Sequence, residues 1–325
     1  MLSRRHFLIG AATVLAASAT GCRLRVPTPA TEPAKRLQAA EPVGERPFRI
    51  ALLSDTHCQE LSPLASAPAN AKLMRAVADF KTFKPDLWLC NGDVSDDGLP
   101  GQHAAFKRIL SAVARPGQIM VTTGNHEFYD KGTPDDVALT RFREAFGLKQ
   151  AYNNRMVGGI HMVMLADEQW KTAPKNPDWA WLMPEQLHWF EQVLQEHRDR
   201  FTVVCLHQPL QETVLWSQGN NNFGGCGQVA ELRAILKQNP QVKLWLSGHT
   251  HQLTQLQGQS LKQGEVTFAA LGSTFYLFDS SGATKNFDAS ESRMLEVWPD
   301  RVLLRSRDHA NQAWFDGQDL TLRRA

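Results

Sequence analysis

Five short runs of apolar residues set the rhythm of the chain: Phe48–Ser54, Asp86–Asn91, Gln118–Thr123, Phe201–Leu206 and Val242–Ser247. Runs of this length that are apolar throughout, instead of alternating, predict strands buried on both faces of a sheet. Each breaks off into Asp, Gly or His, so each strand should deliver a polar loop at its carboxyl end. Between them, Ala69–Phe83, Gln102–Val113, Pro134–Phe146, Pro184–His197 and Gln228–Gln238 combine good helix formers with apolar positions at helical spacing. In the segment from Pro184, the proline suits a first helical turn, and Leu187, Phe190, Val193 and Leu194 make one apolar face, so this helix reads as packing. Alternation of strand and helix predicts an α/β fold. From Glu265 the pattern changes to strand-like pieces, Val266–Leu271, Thr274–Phe278, Met294–Trp298 and Val302–Ser306, with Trp298-Pro-Asp-Arg301 as a hairpin turn. This last part is expected to complete a second sheet.

The N-terminus has a different pattern. Arg4 and Arg5 precede an apolar run from Phe7 to Ala17 that is too short to span a bilayer comfortably, so residues 1–22 read as an export signal. Ser3-Arg4-Arg5-His6-Phe7-Leu8 resembles a twin-arginine signal, which implies the twin-arginine export machinery as a partner and passage of an already folded protein. Ala19-Thr-Gly-Cys22 resembles a lipobox, although Ala19 stands where Leu is commonest. A lipid on Cys22 would anchor the mature protein at the periplasmic side of a bacterial envelope; cleavage after Ala17-Ser-Ala19 would instead give a soluble periplasmic product. Residues 23–47 are rich in Pro, Ala and charge without apolar periodicity, the composition of a flexible tether.

At 325 residues and 42% apolar content, the chain can bury a sizeable core, as one large domain or two small ones. A net charge of +2 does not favour a nucleic-acid backbone partner, which calls for clustered Lys and Arg. Of the five cysteines, Cys90 and Cys205 fall inside strand-like runs and read as small buried hydrophobes. Cys58 and Cys226 lie in loops, where a bridge between them stays open.

The residues that carry chemistry follow the predicted strands: Asp55-Thr-His57, Gly92-Asp93-Val-Ser-Asp96, Gly124-Asn125-His126-Glu127, His207 and Gly248-His249-Thr-His251. Loops at carboxyl strand ends are where α/β proteins gather their sites, so residues far apart in sequence can converge there. Imidazole nitrogen together with carboxylate oxygen suits Zn, Mn or Fe, whereas Ca or Mg sites are dominated by oxygen. Asp55 and His57 lie two apart, so an extended segment would point both side chains at one ion, and His249 and His251 repeat the spacing. One such residue alone is more often a hydrogen-bonded structural group; their joint occurrence is what points to metal.

In this order and spacing, Asp-x-His, Gly-Asp-x-x-Asp, Gly-Asn-His-Glu, His and Gly-His-x-His resemble the signature of the calcineurin-like metallophosphoesterases. The resemblance covers residues 48–325 and implies a four-layer α/β/β/α sandwich of two mixed sheets flanked by helices. It implies two divalent ions, Mn, Fe or Zn, the first held by Asp55, His57, Asp93 and His251, the second by Asp93, Asn125, His207 and His249. Asp93 would then bridge, since one carboxylate can keep two dications roughly 3.5 to 4 Å apart. A metal-bridging hydroxide would attack a phosphomonoester or phosphodiester, small-molecule or lipid, while His126 acts as general acid and Asp96 orients and charges it. Asp96, next to Asp97 and Gly98, also suits a plain turn.

Departures from subfamily patterns narrow the expectation. Protein phosphatases of this superfamily place Arg where this chain has Asp97, so that activity is not expected; purple acid phosphatases place a Tyr ligand where it has Asp96, so their tyrosinate-iron colour and Fe(III) site are not expected. The start of the helix at Pro184 resembles phosphodiesterase-like members without naming a substrate. Two loops, 167–183 with Trp170, Trp179 and Trp181, and 210–227 with Trp216, are expected to set specificity, by stacking on substrate or by sealing the loops. Two alternatives stand beside the enzyme: a degenerate metal-binding scaffold at the cell envelope, which has no need of an acid such as His126, and a nuclease, which would want a basic groove that the sequence does not show.

Overall fold

A computed structural model of the chain describes residues 46–173, 179–217, 225–279, 281–282 and 284–324. The expected export signal and the tether up to residue 45 lie outside the described residues. Arg46 and Pro47, at the end of that tether, belong to the body: Arg46 grips both carboxylate oxygens of Asp86 at 2.9 and 2.7 Å, and Pro47 is buried.

Along the chain come β1 (Phe48–Leu53), α1 (Pro68–Lys81), β2 (Leu87–Asn91), α2 (Pro100–Ser111), β3 (Ile119–Thr122), α3 (Asp135–Phe146), β4 (Asn153–Val157), β5 (Ile160–Met164), α4 (Pro184–Glu196) and β6 (Thr202–Cys205). They are followed by α5 (Val229–Gln238), β7 (Val242–Ser247), β8 (Ser260–Gln263), β9 (Val266–Ala270), β10 (Leu277–Phe278), β11 (Lys285–Asn286), β12 (Glu291–Val297), β13 (Arg301–Asp308), β14 (Ala313–Trp314) and β15 (Leu320–Arg323).

Two mixed sheets form. The first has the order β14-β13-β12-β1-β2-β3, with β15 also on β13; β1, β2 and β3 run parallel and β12 antiparallel to β1. The second has the order β4-β5-β6-β7-β9-β8, parallel from β5 to β9 and antiparallel at both edges. Three apolar clusters glue the layers. Leu73, Val77 and Phe80 of α1 and Phe106 of α2 pack on Trp88 and Cys90 of the first sheet, and Phe190 of α4 and Leu232 of α5 pack on Val204 and Trp245 of the second. Between the sheets, Ile50, Leu52, Leu89 and Leu295 meet Met162, Val203, Leu244 and Leu246. This is the four-layer sandwich, and β1 to β3, β6 and β7 are buried on both faces as their unbroken apolar runs require.

Two expectations are corrected. The C-terminal strands do not complete the second sheet: only β8 and β9 do, while β12 to β15 extend the first through the β1–β12 pairing. Every residue of β12 is buried, which suits an interior strand beside β1, and a strand pattern alone does not name its neighbour. Thr274–Phe278 is strand only at β10, which forms a two-stranded ribbon with β11. The β4–β5 hairpin, outside the five apolar runs, turns at Gly158-Gly159, both at positive φ (55° and 78°), a strong two-residue turn signal. No disulfide links Cys58 and Cys226; they are buried in different clusters, on opposite sides of the sandwich.

Candidate metal centre

The strand ends of both sheets point their loops at one place. Asp55 and His57 follow β1, Asp93 follows β2, Asn125 and His126 open the turn after β3, and His207 and His249 with His251 follow β6 and β7. The extended geometry expected for the two-apart pairs is not what forms. Asp55 (φ 53°), His57 (46°), Asp93 (49°), His249 (69°) and His251 (48°) all adopt the left-handed backbone region, uncommon for residues with a side chain. Such conformations persist only where the surroundings hold them, and they cluster at functional sites. Here the β1 loop is laced to the β2 loop, with Thr56 N and His57 N both donating to Asp93 O at 2.8 and 3.0 Å. The β7 loop is laced to β1 in turn, with His249 N donating to the Asp55 carboxylate at 3.1 Å.

The result is a contiguous set of nitrogen and oxygen atoms. His251 Nε2 lies 2.9 Å from Asp55 Oδ1 and 3.0 Å from His57 Nε2, which is 4.0 Å from Asp93 Oδ2. On the other side of Asp93, His207 Nε2 approaches Oδ2 at 3.1 Å, and His249 Nδ1 meets Asn125 Oδ1 at 2.9 Å. The ligand-type atoms of Asp55, His57, Asp93 and His251 all fall within 4.8 Å of one another, and so do those of Asp93, His207 and His249. Asp93 is common to both groups.

Whether this set fits metal ions can be tested on its own chemistry. His207 Nδ1 bonds the Asn91 carbonyl at 2.7 Å and His251 Nδ1 the Tyr276 carbonyl at 3.0 Å, which commits those nitrogens as donors and aims the Nε2 lone pairs at the cluster. His207 Nε2 is buried and, despite its closeness to Asp93, makes no aligned hydrogen bond. The Asn125 amide donates to Tyr129 Oη at 2.8 Å, which turns its Oδ1 toward His249. Burial pushes the His57 imidazole down to about 4, with His126 adding to the effect, so it is neutral and able to donate a lone pair. Burial alone would raise Asp55, but His251 and His207 hold it at about 2; Asp93 likewise lies well below the carboxylate range, with burial outweighed by His207 and His126. Burial lowers His207, yet Asp93 and Asp55 overcome this and raise it to about 10. Carboxylates that hold a proton on a buried imidazole so firmly mark a place short of positive charge, which a divalent cation would supply. The residues fit.

His126 stands at the rim, half-buried, edge-on to His57 at 4.3 Å between ring centres and against Tyr129 at 4.0 Å. Asp96 lies between two imidazoles. Its carboxylate is nearer His57 Nδ1 (3.4 Å) than His126 Nδ1 (3.8 Å) and accepts from Gln59 Nε2 at 2.9 Å; its backbone carbonyl is what bonds His126 Nδ1, at 2.7 Å. Local geometry decides this, because Asp96 bends back toward β1 through Asp96 N donating to Cys58 O.

Several residues outside the candidate ligands shape the site. Glu127, fully buried, accepts from Asp93 N (3.0 Å), Ser95 N (3.1 Å), Ser95 Oγ (2.9 Å) and Gly124 N (2.7 Å), tying the β2 and β3 loops together. Burial and the Asp93 charge push its carboxyl up to about 7 against those donors, all of which favour the carboxylate. Its place at the end of Gly-Asn-His-Glu was the available signal. Asn91 Nδ2 reaches across the sandwich to the Leu206 and Leu246 carbonyls at 3.2 and 3.3 Å, and no pattern in the sequence announces that. Gly124 leaves room for the cluster: a Cβ there would stand 2.3 Å from Asp93 Oδ1 and 2.6 Å from His207 Cδ2. The tryptophans mostly seal: Trp170 packs on Tyr129 at 5.3 Å, Trp181 fills the space beside Gly227, and Trp216 stacks on Phe278 at 5.9 Å. Parts of both loops, 174–178 and 218–224, lie outside the described residues.

Comparison with known proteins agrees with this geometry. Over 254 residues the chain is 28% identical to a probable cyclic nucleotide phosphodiesterase of Synechococcus sp., covering 77% of this chain and 88% of the relative. A 3′,5′-cyclic-nucleotide phosphodiesterase of Nostoc sp. is 24% identical over 265 residues, 78% of this chain and 89% of that one. Among solved structures, a dimetal phosphatase from Danio rerio superposes with a TM-score of 0.58 at 14% identity, over 86% of this chain and all (100%) of that one, a likeness of fold. The calcineurin-like phosphoesterase profile matches residues 48–253, from β1 to just past His251, and the chain therefore belongs to this family of metal-dependent phosphoester hydrolases.

Proposed function

We propose that this protein hydrolyses phosphodiesters, with the cyclic 3′,5′-phosphate of a nucleotide as its leading substrate class. The observation that carries the reading is Asp93, shared between two ligand groups, with His126 at their rim, edge-on to His57. The names of the relatives support the cyclic diester over a monoester. Asp55, His57, Asp93 and His251 would hold one divalent ion and Asp93, Asn125, His207 and His249 the other, the nitrogen and oxygen mix favouring Mn, Fe or Zn. When bound, the ions supply positive charge for the phosphoryl oxygens and acidify a water for attack.

The chain's own residues do the rest. Tyr129 and the Tyr276 and Asn91 carbonyls fix the ligand side chains in orientation before any ion arrives. His126 is held at Nδ1 by the Asp96 carbonyl, which leaves Nε2 as the atom that gives a proton to the leaving oxygen. The Asp96 carboxylate, beside His57 Nδ1, steadies a ligand histidine. The place of action we propose is the periplasmic side of the envelope, on the strength of the Arg4-Arg5 segment and Cys22.

A panel of cyclic nucleotides, linear diesters and monoesters, assayed after loading with Mn, Fe or Zn in turn, tests the reading. The expected result is preferential turnover of cyclic diesters, lost in His126→Ala with the metals retained. Metal-loaded protein that turns over no phosphoester would return the scaffold reading. Replacement of Arg4 and Arg5 by Lys should leave the protein inside the cell on fractionation, and unchanged export would reject the twin-arginine route.

A further inference from the structure

Beside the histidines of the metal centre lies a group of rings that the metal chemistry does not use. Tyr276 packs against His251 with 4.2 Å between ring centres, and Phe275 lies 5.8 Å from His57. Phe287 completes a triangle with them, 5.7 Å from Phe275 and 5.4 Å from Tyr276. The inner two rings are half-buried, whereas Phe287 is 51% exposed, the most exposed large apolar side chain among the described residues. Lys285 sets its ammonium 4.2 Å from the centre of the Tyr276 ring.

A single exposed ring is ordinary on a protein surface. This one differs in being the outer member of a cluster continuous with the ligand histidines, on a segment tied down at both ends. Lys72, from α1, donates to the Phe275 carbonyl at 2.6 Å and to the Ala289 carbonyl at 2.9 Å. Phe278 N donates to His251 O at 2.7 Å, next to the Tyr276 carbonyl that holds the His251 ring. Rings fixed before a ligand arrives lose little freedom on binding it, which is how preorganised subsites gain affinity.

Resting on the functional reading above, we propose that Phe287, backed by Phe275 and Tyr276 and flanked by Lys285, is the subsite for the base of a nucleotide substrate. Aromatic faces take flat heterocycles whichever base is offered, and a nearby ammonium suits the electron-rich ring edge and the phosphate alike. Only two ring-to-ring steps, 5.8 and 5.7 Å, separate His57 from Phe287, so phosphate at the metal centre and base on Phe287 belong to one small molecule. An acyl chain would call for a long apolar trough, whereas this cluster offers one half-exposed ring and a cation.

The test compares binding of adenosine 5′-monophosphate and ribose 5-phosphate to Mn-loaded protein by calorimetry, for the unaltered chain, Phe287→Ala and Phe287→Trp. The unaltered chain should prefer the nucleotide roughly tenfold, the scale of one stacking contact; Phe287→Ala should lose that preference and Phe287→Trp keep it. Equal affinities in the unaltered chain, no nucleotide binding, or a preference that survives Phe287→Ala would overturn the subsite. Diester hydrolysis measured on the same samples separates the two claims. A base preference without hydrolysis of any diester contradicts the functional reading alone, and hydrolysis without base preference contradicts the subsite alone.

Discussion

At the scale of single residues, the site is a set of side chains whose alternatives have been removed. Asp93 serves both ligand groups, so Asp93→Asn should abolish binding of both ions, and elemental analysis of purified protein should find both lost together. Loss of one ion with retention of the other would mean that Asp93 does not bridge. His126 and Asp96 should separate cleanly. His126→Ala is expected to keep the metals and lose about 10²- to 10⁴-fold in kcat, most on esters with poor leaving groups. Asp96→Asn keeps the backbone carbonyl that holds His126 and disturbs the partner of His57, so it should weaken metal affinity about 10- to 100-fold while leaving-group sensitivity stays as it was. That the candidate ligands gather at one place was legible in the sequence because each follows a buried strand run. Which group of Asp96 bonds His126 was not, because carbonyl and carboxylate of one residue cannot be told apart by letter. Nor was the left-handed backbone at Asp55, His57, Asp93, His249 and His251 legible, since Asp and His favour that region only weakly beside glycine.

At the scale of elements, the two central parallel groups, β1 to β3 and β6 to β7, were readable from unbroken apolar runs, and the five α-helices from their spacing. What the pattern could not carry was partnership: β12 reads as a strand in either sheet, and only three-dimensional packing puts Leu295 opposite Ile50. The ribbon of β10 and β11 is too short for periodicity, yet beside it Tyr276 packs on His251 and Phe287 on Tyr276. The loops depend on close approach as much as on ligands. Gly124→Ala would drive a methyl group into Asp93 and His207, so metal affinity should fall while the circular dichroism spectrum stays native. An unaltered affinity would show that the β3 loop can retreat. Glu127 is the second device at this scale, and Glu127→Ala, which strands the Asp93, Ser95 and Gly124 amides without an acceptor, should cost about 1–3 kcal/mol in stability for the desolvated donors, read from urea unfolding.

Across the whole molecule, α1 is bolted to the first sheet. Asp79 takes a two-pronged pair from Arg307 at 2.9 and 2.8 Å and bonds His309 at 2.8 Å, while His309 meets Ser292 at 2.6 Å. The order Asp, His, Ser is that of a hydrolytic triad, but Ser292 and His309 are fully buried, so the chain of bonds is a fastening. Burial would raise Asp79; Arg307 and His309 outweigh it and hold the carboxyl at about 2. A depressed carboxyl adds stability that is present above its unfolded value, near 3.9, and is lost as pH falls toward 2. Asp79→Asn should therefore lose about 3–5 kcal/mol at neutral pH, from leaving Arg307 without its carboxylate. The gap from the unaltered protein should narrow, without vanishing, between about pH 4 and pH 2, as measured by urea midpoints. A gap that persists unchanged at pH 2 would mean that the pair is not what Asp79 contributes.

Anomalous diffraction from crystals grown with manganese tests the convergence of both sheets on one bimetallic centre most directly. Two peaks are predicted, one among Asp55, His57 and His251 and the other among Asn125, His207 and His249, with the Asp93 carboxylate between them. A single peak, or density away from Asp93, would contradict it.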